Sequence, residues 1–538
     1  MSPYNELLSH ELFDTREDHK DFPDPDQIRR SYDRARLICR KSGITVEDVV
    51  ELRPRFWDFH RHPIVAIDTA VTTILSIHWN LCMGTIASFA TSRPDLAPLL
   101  QRLSNFDLCG EFLLTEVGHG LDARNLETTA TLQPDGSFDL HTPTMAASKA
   151  MPPTTPWAGV ARIGVVFARL IVHEKDHGVK LSIVNLGNEI QLSPGVTSRA
   201  LPKRSGAKAL DHAITTFDHV RLGPESLLGS PNLAVDHRAD FMHQIHRVAV
   251  GTLSLSIVNI PMPQQAAFIA GTYSARRHVS ANSGSGTIPI IHFSTQYRPI
   301  LDAFVKTWAY DAFAEEAITI FQESRLSLET RHAVAACFKA TVSTDIQATL
   351  GQLADRFHAK LKTLTGSVSE VLLGRYKLPE PKNRNCLLAR HESGVWREAR
   401  DLMKLLVGKH HRGEKFNIHM LPRCREIVKA TGHRLAYEAA AANYTMKPEA
   451  LSLFESVCVK TDLGWYCQYE GLDRNAFLMR DAEAAAQVLP QLHAFLGASK
   501  ELEVPVAPIM YKESWDEFLR QLPIFSASQV ATPMRSRL

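Results

Sequence analysis

Cysteine, net charge and unbroken apolar runs are all scarce in this sequence of 538 residues. The eight cysteines are scattered without Cys-x-x-Cys spacing and no signal-peptide pattern precedes them, so we expect reduced, packed thiols and no disulfide framework. The formal charge is only +2, which gives no electrostatic reason to expect a nucleic acid or an acidic membrane surface as a partner. The composition is that of an ordinary globular protein, and the length suffices for roughly three or four domains.

The most apolar stretch, residues 65–90, is interrupted by polar side chains. Asp68, His78 and Asn80 lie within it, together with several serines and threonines. In a lipid bilayer these groups would lose their hydrogen bonds to water, at a cost in free energy. We therefore predict a buried helical segment and no membrane span.

Histidine is frequent, but its clusters do not have the spacing of metal ligands. His60-Arg61-His62 and the stretch at 409–419 lack the regular intervals from which zinc sites are predicted. The sequence therefore predicts no metal site.

The pattern of apolar residues changes twice along the chain. Up to about residue 107 helical periodicity alternates with charged connections, and a helix is predicted from Asp26 to Gly43. From about 105 to 229 the residues alternate as in strands, with a hairpin turn at Pro134-Asp135-Gly136. Helical periodicity then returns and continues almost to the end. This order predicts an α+β protein that is mostly α.

The stretch Leu113–Leu132, LLTEVGHGLDARNLETTATL, has a threonine and two glycines between an apolar run and alternating residues. This pattern is typical of a strand-loop-strand whose backbone donors lie against a flat ligand. A Gly-His-Gly alone is only a turn, but TEVGHGLDARNLETTA resembles the flavin-facing signature of the acyl-CoA oxidase branch of the acyl-CoA dehydrogenase superfamily. The resemblance implies that Thr115 hydrogen-bonds the flavin and that Gly118 and Gly120 let the chain pass close to it.

A second segment, Thr142–Arg169, resembles the partner strand of the same pocket. Where the commonest oxidases have lysine, aromatic residues and Pro-Gly, this chain has the run Lys149-Ala150-Met151-Pro152-Pro153-Thr154. The resemblance places Met151 and Pro153 at the flavin, but loss of the glycine removes backbone freedom and a donor, so the hydrogen bonding must differ. Lys149 either neutralises a phosphate or is an ordinary solvated lysine.

Two helical motifs complete the resemblance. TYSARRHV, at 272–279, is similar to the family helix whose first arginine reaches the flavin pyrophosphate, often across a subunit boundary, and that arginine is Arg276. FSTQYRPI, at 293–300, resembles the helix that brings an amide to the cofactor, which would be Gln296. Taken alone, a surface ion pair or an exposed glutamine explains each motif better, but together they follow the family's order.

The resemblance covers nearly the whole chain and implies four domains. They are an N-terminal helical domain (1–107), a flavin-facing β-barrel (108–230), a helical bundle that completes the FAD site (231–377) and an extra C-terminal helical domain as in oxidases (378–538). It also implies FAD as cofactor, an acyl-CoA thioester as substrate and a homodimer. The implied reaction is dehydrogenation to a trans-2-enoyl-CoA, in fatty-acid-type or secondary-metabolite metabolism.

The family's catalytic base is not found. In that reaction a positioned glutamate removes the proton α to the thioester carbonyl. In oxidases it follows a Cys-Gly-Gly or Cys-Gly-Ala loop, but here only FHAKLKTLTG separates two family-like helices, between Arg356 and Ser367. Three explanations stay open: an error in the gene model, another carboxylate (nominally Glu315, Glu316 or Asp345), or an inactive relative. The catalytic residue is therefore unknown.

The sequence ends in Ser536-Arg537-Leu538, which keeps the small-basic-leucine chemistry of the peroxisomal address. Because an oxidase makes hydrogen peroxide, we expect a peroxisomal location. A flavin- or acyl-CoA-binding subunit that pairs with an active relative is the alternative function. A purely structural helical protein is a third, which would leave Thr115, Arg276 and Gln296 unexplained as an ordered set.

Overall fold

The computed structural model describes residues 3–8, 10–13, 24–120, 122–202, 207–280, 286–354, 379–405, 419, 421–443, 446–498, 511–514 and 517.

The chain begins with a layer of helices held together by buried polar contacts as well as apolar packing. The helices described up to residue 104 are α1 (Pro3–Leu8), α2 (Asp24–Lys41), α3 (Val46–Val50), α4 (Pro54–Arg61), α5 (Ile64–Ile67), α6 (Thr69–Leu75), α7 (Gly84–Ala87) and α8 (Ala97–Ser104), with a π-helix at Ser76–Met83. Asp68 begins α6 because one carboxylate oxygen accepts from the backbone of Ala70 and Val71. Its other oxygen accepts from Arg34 at 2.7 Å, which joins α6 to α2. The helix predicted from Asp26 is α2.

The apolar stretch predicted as a buried helical segment lies in this layer. Thr69–Ala87 is long and apolar enough to cross a membrane, and the bent pair His237–Gln244 and His246–Arg276 passes the same test as one span. In the first, 83% of the apolar window is buried inside the protein, as in the core helix of a globular protein. Two of its polar side chains are hydrogen-bonded inside the protein: His78 Nε2 lies 3.0 Å from the carbonyl of Leu103, and Asn80 donates to the carbonyl of Arg247 at 3.0 Å.

A β domain follows the helices. Its strands are β1 (Cys109–Leu113), β2 (Thr129–Leu132), β3 (Phe138–His141), β4 (Lys149–Pro153), β5 (Arg162–Val172), β6 (Lys175–Gly187), β7 (Val196–Ala200), β8 (His212–Phe217), β9 (Val220–Leu222) and β10 (Leu227–Leu228). One sheet has the order β10-β6-β5-β2-β3-β9, with β1 parallel to β5, and a second has the order β4-β8-β7. Leu113, Val166, Leu186 and Phe217 belong to a separate apolar core of this domain.

The predicted hairpin is confirmed. β2 and β3 pair antiparallel, from Thr129 opposite His141 to Leu132 opposite Phe138. Gly136 has φ +84°, a conformation that glycine adopts without steric cost, and the Ser137 backbone donates to Asp135 at 3.0 Å. Local turn chemistry therefore sets the register of this pair.

The described residues after 230 are mainly helical, with one two-stranded ribbon. The elements are α9 (His237–Gln244), α10 (His246–Ile257), α11 (Pro261–Arg276), β11 (His278–Ser280), β12 (Thr287–Pro289), α12 (Ser294–Gln322), α13 (Leu328–Ala354), α14 (Leu387–Leu405), α15 (Leu421–Ala442), α16 (Pro448–Lys460), α17 (Leu463–Tyr469) and α18 (Arg474–Ala498). The long helix α12 packs against α11, α13, α15, α16 and α18.

The order of helices, curled sheet and helices confirms the predicted α+β, mostly α fold. The divisions at 107/108 and 230/231 remain predictions, and the one at 377/378 lies outside the described residues.

Candidate functional site

The structure brings together the two segments that were predicted to face a flat ligand. The loop after β1 runs beside the start of β4: the Ala150 backbone donates to the Thr115 carbonyl at 2.9 Å, and the Val117 backbone donates to the Ser148 carbonyl at 2.9 Å. The Gly118 backbone donates to the Ala146 carbonyl at 2.8 Å. The loop is therefore held by a backbone ladder, without depending on particular exposed side chains.

A fully buried ion pair lies beneath this ladder. Lys149 Nζ is 2.8 Å from Glu116 Oε1, and neither side chain is exposed to solvent. Lys149 also donates to the Phe167 carbonyl on β5 at 2.7 Å. Both interpretations of Lys149 from sequence, a phosphate ligand or a solvated lysine, are therefore wrong. The lysine points inward because Glu116 supplies the opposite charge and the Phe167 carbonyl accepts a hydrogen bond there.

Glu116 accepts further hydrogen bonds from the two residues that precede β2. The backbones of Glu127 and Thr128 donate to it at 2.7 and 3.0 Å, and the Thr128 hydroxyl donates at 2.7 Å. Burial alone would raise the pKa of Glu116, but the Lys149 ammonium and these donors together lower it. Burial lowers the pKa of Lys149 to about 8, against the opposing effect of Glu116. At neutral pH both groups are charged.

Thr115 has hydrogen-bond donors that are not used within the described residues. Its side chain is half-buried, and neither its hydroxyl nor its backbone N–H is hydrogen-bonded to any other residue that the structure describes. Gly118 lies so close to Ala146 that a Cβ would stand 3.0 Å from the alanine methyl group, so a side chain would push the loop away. Gly120 has open space around its Cα, so nothing in this chain alone requires glycine there.

Met151 and Pro153 lie on an irregular part of β4. The register against β8 shifts between Ala150 and Pro153, and Met151 has φ +74°, an uncommon conformation for a residue with a side chain. The Met151 side chain is 51% exposed, whereas Pro153 is buried. A cavity of about 230 Å³ opens beside Met151, lined also by Ile28, Trp157 and Leu210.

A buried charged cluster supports the end of β4. Arg162 on β5 is 3.0 Å from Glu111 and 2.8 Å from Asp211, and it also donates to the Pro153 carbonyl. The Tyr32 hydroxyl donates to Asp211 at 3.0 Å. Burial raises the pKa of Glu111 to about 8, an effect that Arg162 opposes and Asp211 increases. One guanidinium thus faces two carboxyl groups, and burial favours the protonated form of Glu111.

Sequence reasoning missed this cluster. The available signal was a charged residue inside each of two apolar strands, Glu111 in CGEFL and Arg162 at the start of RIGVVFARLIV. Charged residues are seldom fully buried unless they are paired, so such positions predict a buried partner. The partners themselves, Asp211 and Tyr32, are distant in sequence and could not have been named.

Arg276 and Gln296 make no hydrogen bond to Thr115 or its loop among the described residues. Arg276 ends α11 and is exposed, with its guanidinium 5.5 Å from the centre of the Tyr511 ring. Gln296 is half-buried in the first turn of α12. Among the described residues, neither side chain is hydrogen-bonded to the loop at 114–120 or to β4. Whether they serve the same flavin stays a prediction.

The three nominal carboxylates are all engaged in ion pairs. Glu315 lies 2.9 Å from Arg61, and Glu316 lies 3.4 Å from Lys382. Asp345 is buried and accepts from the Tyr310 hydroxyl at 2.7 Å, with His433 Nε2 at 2.8 Å. Burial alone would raise the pKa of Asp345, but His433 and two lysines hold it well below its usual range. A carboxylate with so low a pKa is a weak base.

The segment from which the family's glutamate is missing, between Arg356 and Ser367, lies outside the described residues. The catalytic residue therefore stays unknown.

The residues present fit an isoalloxazine ring. Thr115 offers an unengaged hydroxyl and N–H, and Gly118 keeps the loop flat against Ala146. The apolar side chains of Val117, Met145 and Met151 flank the ladder and are each more than half exposed. Exposed apolar side chains beside unused donors are typical of a covered ligand surface.

Comparison with known proteins points to one group. No family model matches the chain. Peroxisomal acyl-coenzyme A oxidase 1 of Arabidopsis thaliana is 27% identical over 294 residues, which are 50% of this chain and 43% of that protein. Acyl-coenzyme A oxidase 1 of Yarrowia lipolytica is 32% identical over 201 residues, 36% of this chain and 27% of that protein. The chain thus spans less than half the length of these relatives.

Solved structures match over almost the whole chain. Acyl-CoA oxidase 1 from Yarrowia lipolytica superposes with a TM-score of 0.78 at 18% identity, covering 99% of this chain and 90% of that one. Acyl-CoA oxidase-2 of Caenorhabditis elegans, bound with FAD, ascaroside-CoA and ATP, gives 0.75 at 14% identity, covering 96% and 89%. The fold is that of the acyl-CoA oxidases, and the predicted resemblance to that branch is confirmed.

Proposed function

We propose that this chain, which has the fold of the acyl-CoA oxidases, binds FAD on the face formed by its loop at 114–120 and β4, and dehydrogenates an acyl-CoA thioester to a trans-2-enoyl-CoA. The observation that carries the proposal is the unengaged Thr115 hydroxyl and N–H beside the ladder to Ala150. The partial sequence similarity to acyl-CoA oxidases supports it.

FAD would supply the acceptor for the hydride that leaves the β carbon of the substrate. The chain's own contribution is to hold the ring. Thr115 donates from its hydroxyl and its backbone to a ring edge, where negative charge is stabilised by fixed donors. The buried Glu116–Lys149 pair keeps Thr115 in place, and the Arg162 cluster does the same for Pro153.

Arg276 and Gln296 would complete the site from a second copy of the chain. Arg276 is exposed at the end of α11, and a guanidinium can hold phosphate oxygens with two parallel hydrogen bonds. A shared site explains why neither residue is hydrogen-bonded to the Thr115 loop of its own chain. A homodimer is therefore part of the proposal, as is the predicted division into four domains.

The proposed location is the peroxisome. The Arabidopsis relative is named as a peroxisomal protein, which supports the proposal. The terminal Ser536-Arg537-Leu538 that predicted it lies outside the described residues. Oxygen is the proposed final electron acceptor, because the similar proteins are named oxidases. The acyl chain is left as a fatty-acid-type or secondary-metabolite thioester.

A second candidate function rests on one observation. No glutamate stands between Arg356 and Ser367, and the three nominal carboxylates are engaged in ion pairs. A chain of this kind would bind FAD or acyl-CoA without catalysis and pair with an active relative. The two functions agree on the cofactor and differ in whether an acyl-CoA reduces it.

Titration of the cofactor-free protein with FAD tests the binding face. Loss of the hydroxyl's hydrogen bond in Thr115→Val should weaken binding about 10-fold, whereas Thr131→Val, on β2 of the same domain, should leave it unchanged. Arg276→Met should weaken binding by about 10-fold or more. Arg277→Met is its control, because Arg277 is the exposed neighbour, and this change should leave binding unchanged. Equal affinity in all four variants and the wild type would contradict the assignment.

Mixing two variants tests the shared site. A heterodimer of Thr115→Val and Arg276→Met contains one site with neither change if Arg276 serves the partner's flavin. Half of the sites in such a mixed dimer should then bind with wild-type affinity. If Arg276 acts within its own chain, no site recovers.

A further inference from the structure

Three side chains from two turns of the β domain converge on its surface, outside the proposed FAD face. His141 is the last residue of β3, and Asp218 and His219 form the turn between β8 and β9. One possible ligand atom from each lies within 4.8 Å of those of the other two.

Backbone contacts hold the two turns together. The Thr142 backbone donates to the Phe217 carbonyl at 2.8 Å, and the Phe217 backbone donates to the Thr142 hydroxyl at 2.9 Å. The residues that precede and follow this pair are therefore fixed side by side. The two histidine rings stack with their centres 4.1 Å apart and their planes 16° from parallel. Because a metal ion lies in the plane of each imidazole that binds it, one of the two rings must turn before both bind the same ion.

A neighbouring carboxylate already orients His219. Its Nδ1 is 2.8 Å from Asp139 Oδ2, two positions before His141 on β3. With Nδ1–H donated to Asp139, the lone pair of the neutral ring is on Nε2, which faces away from this carboxylate. Histidines that bind metals commonly donate their other ring N–H to a carboxylate in this way.

His141 lacks a hydrogen-bond partner where one is expected. Its Nδ1 is buried and has no hydrogen bond to any residue that the structure describes, and an Asp218 carboxylate oxygen is 3.9 Å away. That distance is too long for a hydrogen bond. A buried ring nitrogen without a partner is uncommon in native proteins, and a bound ion would satisfy it.

We propose that His141, Asp218 and His219 bind one divalent transition-metal ion of the zinc class. Two imidazoles and one carboxylate suit Zn²⁺, Ni²⁺ and Cu²⁺ better than Ca²⁺ or Mg²⁺, which prefer sites made of oxygen ligands. Three protein ligands leave a position for water. Because the site joins β3 to the β8–β9 turn, the ion would clamp these two segments and stabilise the folded domain by its binding free energy.

The site does not follow the sequence patterns from which metal binding is predicted. Its histidines are far apart in the chain and come together only through the pairing of β3 with the turn after β8. The proposal does not depend on flavin binding, since its ligands lie on a different set of turns.

Isothermal titration of the full-length, tag-free chain with ZnCl₂ at neutral pH tests the proposal. We expect saturable binding of one ion per chain, and a characteristic absorption spectrum when Co²⁺ replaces Zn²⁺. His141→Asn and His219→Asn should each weaken binding more than about 100-fold, while Asp139→Asn, which removes only the orienting carboxylate, should weaken it about 10- to 100-fold.

His173→Asn is the matched control. His173 is exposed on the turn between β5 and β6 and has φ +49°, the same backbone conformation as His219. Asparagine tolerates that conformation, so His173→Asn and His219→Asn should both leave the fold intact, which circular dichroism checks. Absence of saturable binding would overturn the proposal. So would binding that His141→Asn and His219→Asn leave unchanged, because the ion would then be held by other histidines. Unchanged affinity in Asp139→Asn would overturn its positioning role.

Discussion

Replacing Lys149 by methionine should destabilise the proposed flavin face more than any exposed substitution in the β domain. The change keeps the length of the side chain but leaves Glu116 charged and buried without its counter-ion. Removal of one partner of a buried ion pair typically costs about 3–5 kcal/mol. Three donors from Glu127 and Thr128 remain on Glu116, which places our expectation near the lower end of that range.

A second variant separates the buried charge from loss of packing. In Glu116→Gln/Lys149→Met no charge is left in the core, so we expect the double variant to recover at least half of the lost free energy. Lys180→Met is the matched control, because Lys180 lies on β6 of the same domain and is also buried. Its partner Asp240 is 31% exposed and can be hydrated, so that change should cost about 1 kcal/mol.

Hydrogen exchange followed by mass spectrometry measures these effects locally, which suits a chain of several domains where a single unfolding transition is not assured. Peptides covering residues 113–153 should exchange much faster in Lys149→Met than in the wild type or in Lys180→Met. If Lys149→Met exchanged like Lys180→Met, the buried pair would not hold the loop and our reasoning about this face would be refuted.

Other predictions concern the remaining buried charges. Glu111→Gln should be nearly neutral below about pH 4, where Glu111 is protonated in both the folded and the unfolded chain, and more stable than wild type above it. Asp211→Asn should cost about 3 kcal/mol by removing the partner of Arg162. Because the pKa of Glu111 is raised in the folded protein, the free energy of unfolding of the wild type should fall as pH rises from about 4.3 to about 8. Urea unfolding at a series of pH values should show that Glu111→Gln lacks this fall. Asp345→Asn should destabilise the helical bundle at neutral pH; because the folded pKa is depressed, the difference from wild type should shrink as pH falls below about 4. Persistence of that difference at low pH would show that Asp345 acts through packing alone.

Local patterns predicted much of the fold. The Pro134-Asp135-Gly136 turn could be predicted because its glycine and aspartate fix the hairpin through local contacts. The buried helical segment at 69–87 was also predicted correctly, since its polar residues could be satisfied only inside a protein. The order of helices and strands followed from periodicity.

The contacts that shape the proposed site are non-local, and sequence reasoning failed for them. Lys149 was expected at the surface or at a phosphate because lysine is seldom buried, and its partner Glu116 lies on another segment. Arg162 and Asp211 are likewise brought together only by the sheet. Motif resemblance did place Thr115 beside β4, because its loop and that strand were matched as a pair.

The most direct test of FAD-dependent dehydrogenation is anaerobic titration of the FAD-reconstituted full-length protein with acyl-CoA thioesters of different chain length. We predict a yellow protein with one FAD per chain whose visible absorbance bleaches with at least one thioester. A yellow protein that no thioester bleaches would favour the non-catalytic subunit, and a folded protein that takes up no FAD would contradict the proposed function.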